Sequence, residues 1–194
     1  QQERWRDIAN LHPALGISAD TDFEYGIALA RLERWEDAKG AFLSGLRLSP
    51  RDPRFMVELA GVAFKQTNYA AAENWLQRAL RLSPRDSYTL DFLATVFYLQ
   101  GNIDAALKYW NRVGKPKIGL IAAQPKPKLD PTLLDRAFAF SPASTLKLSD
   151  LRTTGARLQQ LNVFSAFRVS LEAQPDNTFN VTFRASERNG CAGN

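Results

Sequence analysis

Leu48-Ser49-Pro50-Arg51-Asp52 and Leu82-Ser83-Pro84-Arg85-Asp86 are the same pentapeptide, set 34 residues apart. Self-similarity at a period of this size marks a stacked-repeat architecture in which one supersecondary unit recurs. A single unit cannot bury its apolar face alone, so neighbours stack, and the stack leaves one long curved surface open to another chain. The spacing therefore predicts a helical solenoid whose business is recognition and not catalysis.

Aligning three frames on that period extends the match. Tyr25-Gly26, Leu29, Ala38, Phe42 and Pro50 in the first correspond to Leu59-Ala60, Ala63, Ala72, Leu76 and Pro84 in the second, and to Leu93-Ala94, Phe97, Ala106 and Trp110 in the third. Small residues fall where two helices cross closely and bulky ones where they fill the space between units. The pattern resembles the tetratricopeptide repeat, with Gly45 in place of the usual third Ala, and with Ile118 where a terminal Pro would stand, so the solenoid is expected to stop there. Asp52-Pro53 reads as an N-cap followed by proline at the first helical position, and Asp86 as a second cap one period later. Asn68 and Gly101-Asn102 read as turns. Glu3-Arg4-Trp5-Arg6-Asp7 echoes Glu33-Arg34-Trp35-Glu36-Asp37 and predicts a capping helix. The expected organisation is a solenoid over 1–114, with the capping helix at 2–12 and repeats at 19–52, 53–86 and 87–113.

After Val113 the composition shifts. Gly114, Pro116, Gly119, Pro125, Pro127 and Pro131 break any long helix, and Lys115, Lys117, Lys126 and Lys128 keep the stretch solvated. Ile118, Leu120 and Ile121 predict a short strand; Asp130-Pro131 opens a helix carrying Leu133, Leu134, Ala137 and Phe138, and Ser149 opens another carrying Leu151, Leu158 and Leu161. The period then drops to two, with Val169, Leu171 and Ala173, then Phe179, Val181, Phe183 and Ala185, around Pro175-Asp176-Asn177. This is a hairpin with one buried face. The order β-α-α-β-β gives a small α+β layer structure over 115–188, followed by a tail at 189–194.

Leu146-x-Leu148-Ser-Asp-Leu151, Arg157-Leu158, Leu161-Asn162-Val163-Phe164 and Phe167-Arg168-Val169 resemble the polypeptide-transport-associated (POTRA) domain, with Asn162 where Gly is usual. Asn tolerates the left-handed turn this step requires. The resemblance implies a periplasmic, outer-membrane-associated location, a role in handling polypeptides, unfolded outer-membrane chains among them, and a barrel downstream of Asn194. The start at Gln1, without a methionine, fits a mature secreted chain and a trimmed one equally.

Two binding surfaces are expected. Along the concave face the repeat register places Phe23, Ile27 and Arg31, then Arg54, Val57, Gly61, Phe64 and Lys65, then Tyr88, Asp91, Thr95 and Tyr98. Tetratricopeptide domains that clamp a C-terminal carboxylate use Lys, Asn and Arg at several of these places, where this chain has Phe23, Ile27, Val57, Gly61, Asp91 and Thr95, so an apolar helix or extended segment is the better-fitting ligand. The other reading is that the second domain or the capping helix covers part of this groove. The second surface is the strand carrying Arg168, Ser170 and Glu172, which by the POTRA resemblance is the edge that accepts an added strand; alternatively Arg168 and Glu172 blunt it. Trp5, Trp35, Trp75 and Trp110 read as packing residues between units.

Catalytic chemistry finds no support. His12 is the single histidine and Cys191 the single cysteine, no phosphate loop is present, and Glu36-Asp37 reads as solvated charge. No cofactor or metal is expected, nor any transmembrane segment, since no apolar run is long enough. A net charge of +5 raises the alternative of a basic scaffold for an anionic membrane or nucleic acid, with Arg47, Arg51, Arg54, Arg78, Arg81 and Arg85 as a ridge. Basic residues there do not interleave with aromatics as RNA modules require, so no nucleic acid is expected.

Overall fold

The structure, a computed structural model, describes residues 2–11, 18–124, 126 and 128–188. His12, Cys191 and the 189–194 tail lie outside the described residues. Two compact units divide the chain, Gln1–Asn102 and Ile103–Asn194.

The first unit holds α1 (Gln2–Leu11), α2 (Ala19–Arg31), α3 (Trp35–Leu48), α4 (Pro53–Lys65), α5 (Tyr69–Leu82) and α6 (Ser87–Leu99). Side chains cap the starts of α2, α4, α5 and α6, whereas Arg34 before α3 makes no side-chain cap bond. Ser18 and Thr21 form a capping box for α2, Asp52 accepts from the Arg54 N–H at 2.9 Å, and Asp86 accepts from the Thr89 N–H at 2.7 Å. Asn68 caps α5 through the Ala71 N–H. The turns inside the helix pairs need one left-handed residue, and it recurs on the repeat period as Glu33, Thr67 and Gly101, with φ of 60°, 58° and 78°. Only the third repeat uses the residue to which that conformation comes without a steric cost.

The core of this unit joins Leu29, Phe42, Leu46, Phe55, Met56, Leu59 and Val62, with Trp35 and Trp75 packed against it. Two glycines make room for its rings. A Cβ at Gly26 would overlap the Phe42 ring, and one at Gly45 would overlap the Phe55 ring. The departure at Gly45 is thus the counterpart of a phenylalanine on the next helix.

The second unit holds α7 (Ile103–Trp110), a 3-10 turn (Asn111–Val113), β1 (Lys117–Ala123), α8 (Pro131–Ala137), α9 (Leu148–Gln160), β2 (Phe164–Ala173) and β3 (Thr178–Glu187). The repeat register assigns α7 to the third helix pair, yet it groups here by compactness, for visible reasons. The Trp110 ring lies 5.0 Å from that of Phe179, Asn111 bonds both Leu146 O (2.8 Å) and the Leu148 N–H (2.9 Å), and Arg152 meets Asp104 at 3.1 Å. Gly114, at φ 73°, ends the helical run.

The sheet order is β1-β3-β2, with β1 parallel and β2 antiparallel to β3. A bulge between Ile118 and Ile121 is stabilised by Asn180, whose Oδ1 accepts from the Leu120 N–H at 3.0 Å. Gly119 belongs to that bulge, where a Cβ would press on Thr178 and Asn180. Leu158, Phe164, Phe183 and Ala137 form the core between sheet and helices. Asn162 and Asn177, both at positive φ, turn the chain into β2 and through the hairpin. The observed elements are helical hairpins followed by a small mixed three-stranded sheet with two helices, as the sequence predicts.

Candidate functional site

In the first unit the residues expected on the groove lie along α2, α4 and α6, and all retain solvent exposure. Phe23, Ile27, Val57, Phe64, Asp91, Thr95 and Tyr98 are half-buried; Arg31, Arg54, Lys65 and Tyr88 are exposed, Tyr88 at 65%. Phe23, Ile27 and Val57 also pack against the core, so this floor is held by the fold itself. The Phe64 ring meets Phe92 edge-on at 5.3 Å, and Phe92 lies 6.1 Å from Tyr88, giving α4 and α6 a shared aromatic strip.

The cations are not all equally available. The Arg54 guanidinium lies 4.8 Å over the Phe23 ring and contacts Asp52 at 2.7 Å and Asp20 at 3.0 Å. Those hydrogen bonds raise the Arg54 pKa, and the bond from Arg54 holds Asp52 below the ordinary carboxylate range. Arg31 sits 5.9 Å from the Trp5 ring, so α1 approaches one end of this row.

Two members of the surface escape the sequence reading. Glu58 is half-buried, and burial raises its pKa against the opposing charge of Arg31. Tyr88 is raised chiefly by burial, then by the charges of Glu58 and Asp86. Phe92 is the other. Glu58 and Phe92 occupy one register column, 34 residues apart, beside the Val57 and Asp91 column that was singled out. A helical stripe wider than a single residue column would have found both.

In the second unit β2 is an edge strand of the sheet. The Gln174 N–H donates to Thr178 O, and antiparallel pairs alternate, so Glu172, Ser170 and Arg168 direct their main chain to β3. The outward main-chain groups belong instead to Phe167, Val169, Leu171 and Ala173. The three expected residues contribute side chains to the edge, two of them charged, and not its hydrogen-bonding row.

Charge divides unevenly. Residues 1–102 hold 12 basic and 13 acidic residues, net −1, whereas 103–194 hold 13 basic and 7 acidic, net +6. The unit that holds the arginine ridge thus carries no positive excess, and Arg78 stacks 4.2 Å over Trp75. Among the described residues no cluster of His, Cys, Asp and Glu suits a metal, and no helix is long and apolar enough to cross a membrane.

Residues 24–87 match the tetratricopeptide repeat family. No curated protein matches. Among solved structures, MamA is similar with a TM-score of 0.48 and 17% identity, covering 49% of this chain and 56% of that one, so this chain spans about half of MamA's length. YrrB, described as a tetratricopeptide protein with an unusual peptide-binding site, gives a TM-score of 0.52 at 13% identity, covering 57% of this chain and 59% of that one. A MamA RS-1 double mutant gives 0.52 at 15% identity over 82% of each chain. Identities this low speak for fold alone. Family match, repeat register and stacked helix pairs together identify residues 24–87 as a tetratricopeptide repeat segment.

Proposed function

We propose that this chain is a non-enzymatic interaction module that holds a polypeptide segment along α2, α4 and α6. The observation that carries the proposal is the set of half-exposed apolar and aromatic side chains Phe23, Ile27, Val57, Phe64 and Tyr98 on these three helices. Phe23, Ile27, Val57, Gly61, Asp91 and Thr95 stand where a carboxylate clamp carries its polar and basic residues, so the ligand is an apolar helix or extended segment held along its length. The β1-α8-α9-β2-β3 order with sheet order β1-β3-β2 supports reading the second unit as POTRA-like. On that reading the protein is periplasmic, the soluble part of an outer-membrane assembly or transport component, and β2 receives strands from client chains. The test is titration of the protein into a fluorescent, urea-solubilised outer-membrane barrel polypeptide. Val57→Asp and Phe64→Asp should each weaken binding about tenfold or more, with little effect of salt. The net +6 of the second unit favours a second reading, attachment to an anionic surface. Binding that collapses with salt and ignores both substitutions would decide for it.

A further inference from the structure

The other edge of the sheet, β1, is occupied over only half its length. Ile118 donates to Ser144 O at 2.9 Å and accepts from the Ala143 N–H at 2.8 Å, while the Leu146 N–H reaches Pro116 O at 2.9 Å. Residues 143–146 therefore cover the start of the strand. Beyond the bulge, the Gln124 N–H donates to Phe183 O at 2.8 Å and Ala122 pairs with Thr182, so 122 and 124 face β3. Alternation then turns the N–H and C=O groups of Ile121 and Ala123 outward. Among the described residues nothing bonds to them.

A cavity of about 590 Å³ opens against this same stretch, lined by Ile121, Leu134, Phe138 and Phe140, with Lys126 and Asp135 as its charged lining. Outward main-chain groups at alternate residues match an extended backbone. A helix cannot supply them, because its own N–H and C=O groups bond internally. We propose that Ile121–Ala123 accepts an extended acidic polypeptide segment as a fourth strand, its alternate aliphatic or aromatic side chains entering this cavity. The intervening positions suit carboxylates because this unit carries the chain's whole positive excess. This edge is distinct from β2 and from the helical groove, so the present inference and the proposed function fail separately.

The experiment is amide exchange by NMR on the full chain, with a capped Glu-Val-Glu-Phe-Glu-Val peptide as probe. Its rearranged control is Glu-Glu-Glu-Val-Phe-Val. The alternating peptide should slow exchange at Ile121 and Ala123 about tenfold or more, and the control should not. Ala123→Pro removes one outward donor at a position where an edge strand tolerates proline, and should weaken binding up to about tenfold. The wild-type exchange pattern decides the matter even if that variant does not fold. Protection at Val169 and Ala173 instead, equal protection by both peptides, or none, would overturn the proposal. So would protection that rises with protein concentration alone, since a second copy would then hold the edge. A lysine-for-glutamate peptide that binds as tightly would overturn the acidic assignment.

Discussion

Two joints of the helical unit solve one packing problem with different volumes. Where α3 meets α4, Gly45 faces Phe55; at the equivalent places on α5 and α6, 34 residues on, stand Ala79 and Thr89, both buried. A ring plus a bare Cα is exchanged for a methyl plus a small β-branched residue. The pair of helices within a repeat shows the same trade, Gly26 with Phe42 against Ala60 with Leu76. Within the helix pair the exchange keeps the summed volume nearly constant, as expected of interiors packed to crystal density, whereas at the joint Ala79 and Thr89 together fill less space than Gly45 and Phe55.

The largest effect should come from emptying the first joint. Phe55→Ala leaves a cavity beside Gly45 and is expected to cost about 3–5 kcal/mol, whereas Thr89→Ala at the second joint removes far fewer buried atoms and should cost about 1 kcal/mol. Urea unfolding at neutral pH measures both, and equal costs would break the comparison. Next comes overfilling. Gly45→Ala should cost about 1–3 kcal/mol, because its Cβ collides with the Phe55 ring. Adding Phe55→Val, close in shape to Thr89, should recover part of that loss, with a coupling energy of about 0.5–3 kcal/mol by double-mutant cycle. Strict additivity would mean that the two residues do not share the space.

The same trade explains what was legible in the sequence. The pentapeptide and its caps were readable because Asp52 and Asp86 act on their own helix, within three residues. The bulky and small columns were readable because the period places them. The reason for Gly45 was not, since its partner Phe55 is replaced by Thr89 one period later and acts across a turn. Likewise the left-handed turn position is Gly only at 101; at Glu33 and Thr67 nothing in the residue type announces it. In the second unit Asn162 and Asn177 marked turns and Asp130-Pro131 a helix start by local chemistry, whereas Ser149 does not open α9, which starts at Leu148 after Lys147 without a side-chain cap. Asn111, just after α7, reaches Leu146 and Leu148, contacts far along the chain that no periodicity encodes. On the groove, a stripe drawn one residue wide found Val57 and Asp91 and missed Glu58 and Phe92.

The caps supply a smaller contrast between the joints. Asp52→Ala and Asp86→Ala should each cost about 0.5–2 kcal/mol, with Asp52 the more expensive because it also holds Arg54. The folded pKa of Asp52 is depressed, so its contribution is fully present above the ordinary carboxylate range and is lost as pH falls through the lower, folded value. The difference between wild type and Asp52→Ala should therefore be constant at neutral pH and shrink only in strong acid. A gap that persists at the lowest pH would assign the effect to packing instead.

Glu58 should give the smallest effect and the opposite sign. Its folded pKa is raised by burial, so the folded state holds the proton more tightly than the unfolded chain, and stability from this group grows as pH falls toward the carboxylate range. Glu58→Gln removes that penalty and should stabilise the protein at neutral pH, by no more than about 0.5 kcal/mol, with the gain vanishing in acid. The next repeat carries Phe92 in the same column, which needs no such proton. Thermal unfolding of Glu58→Gln across pH 4 to 8 reads the sign directly. Destabilisation at neutral pH would mean that attraction to Arg31 outweighs burial, making Glu58 a tie between the first two repeats and not a charge held at the surface of the groove.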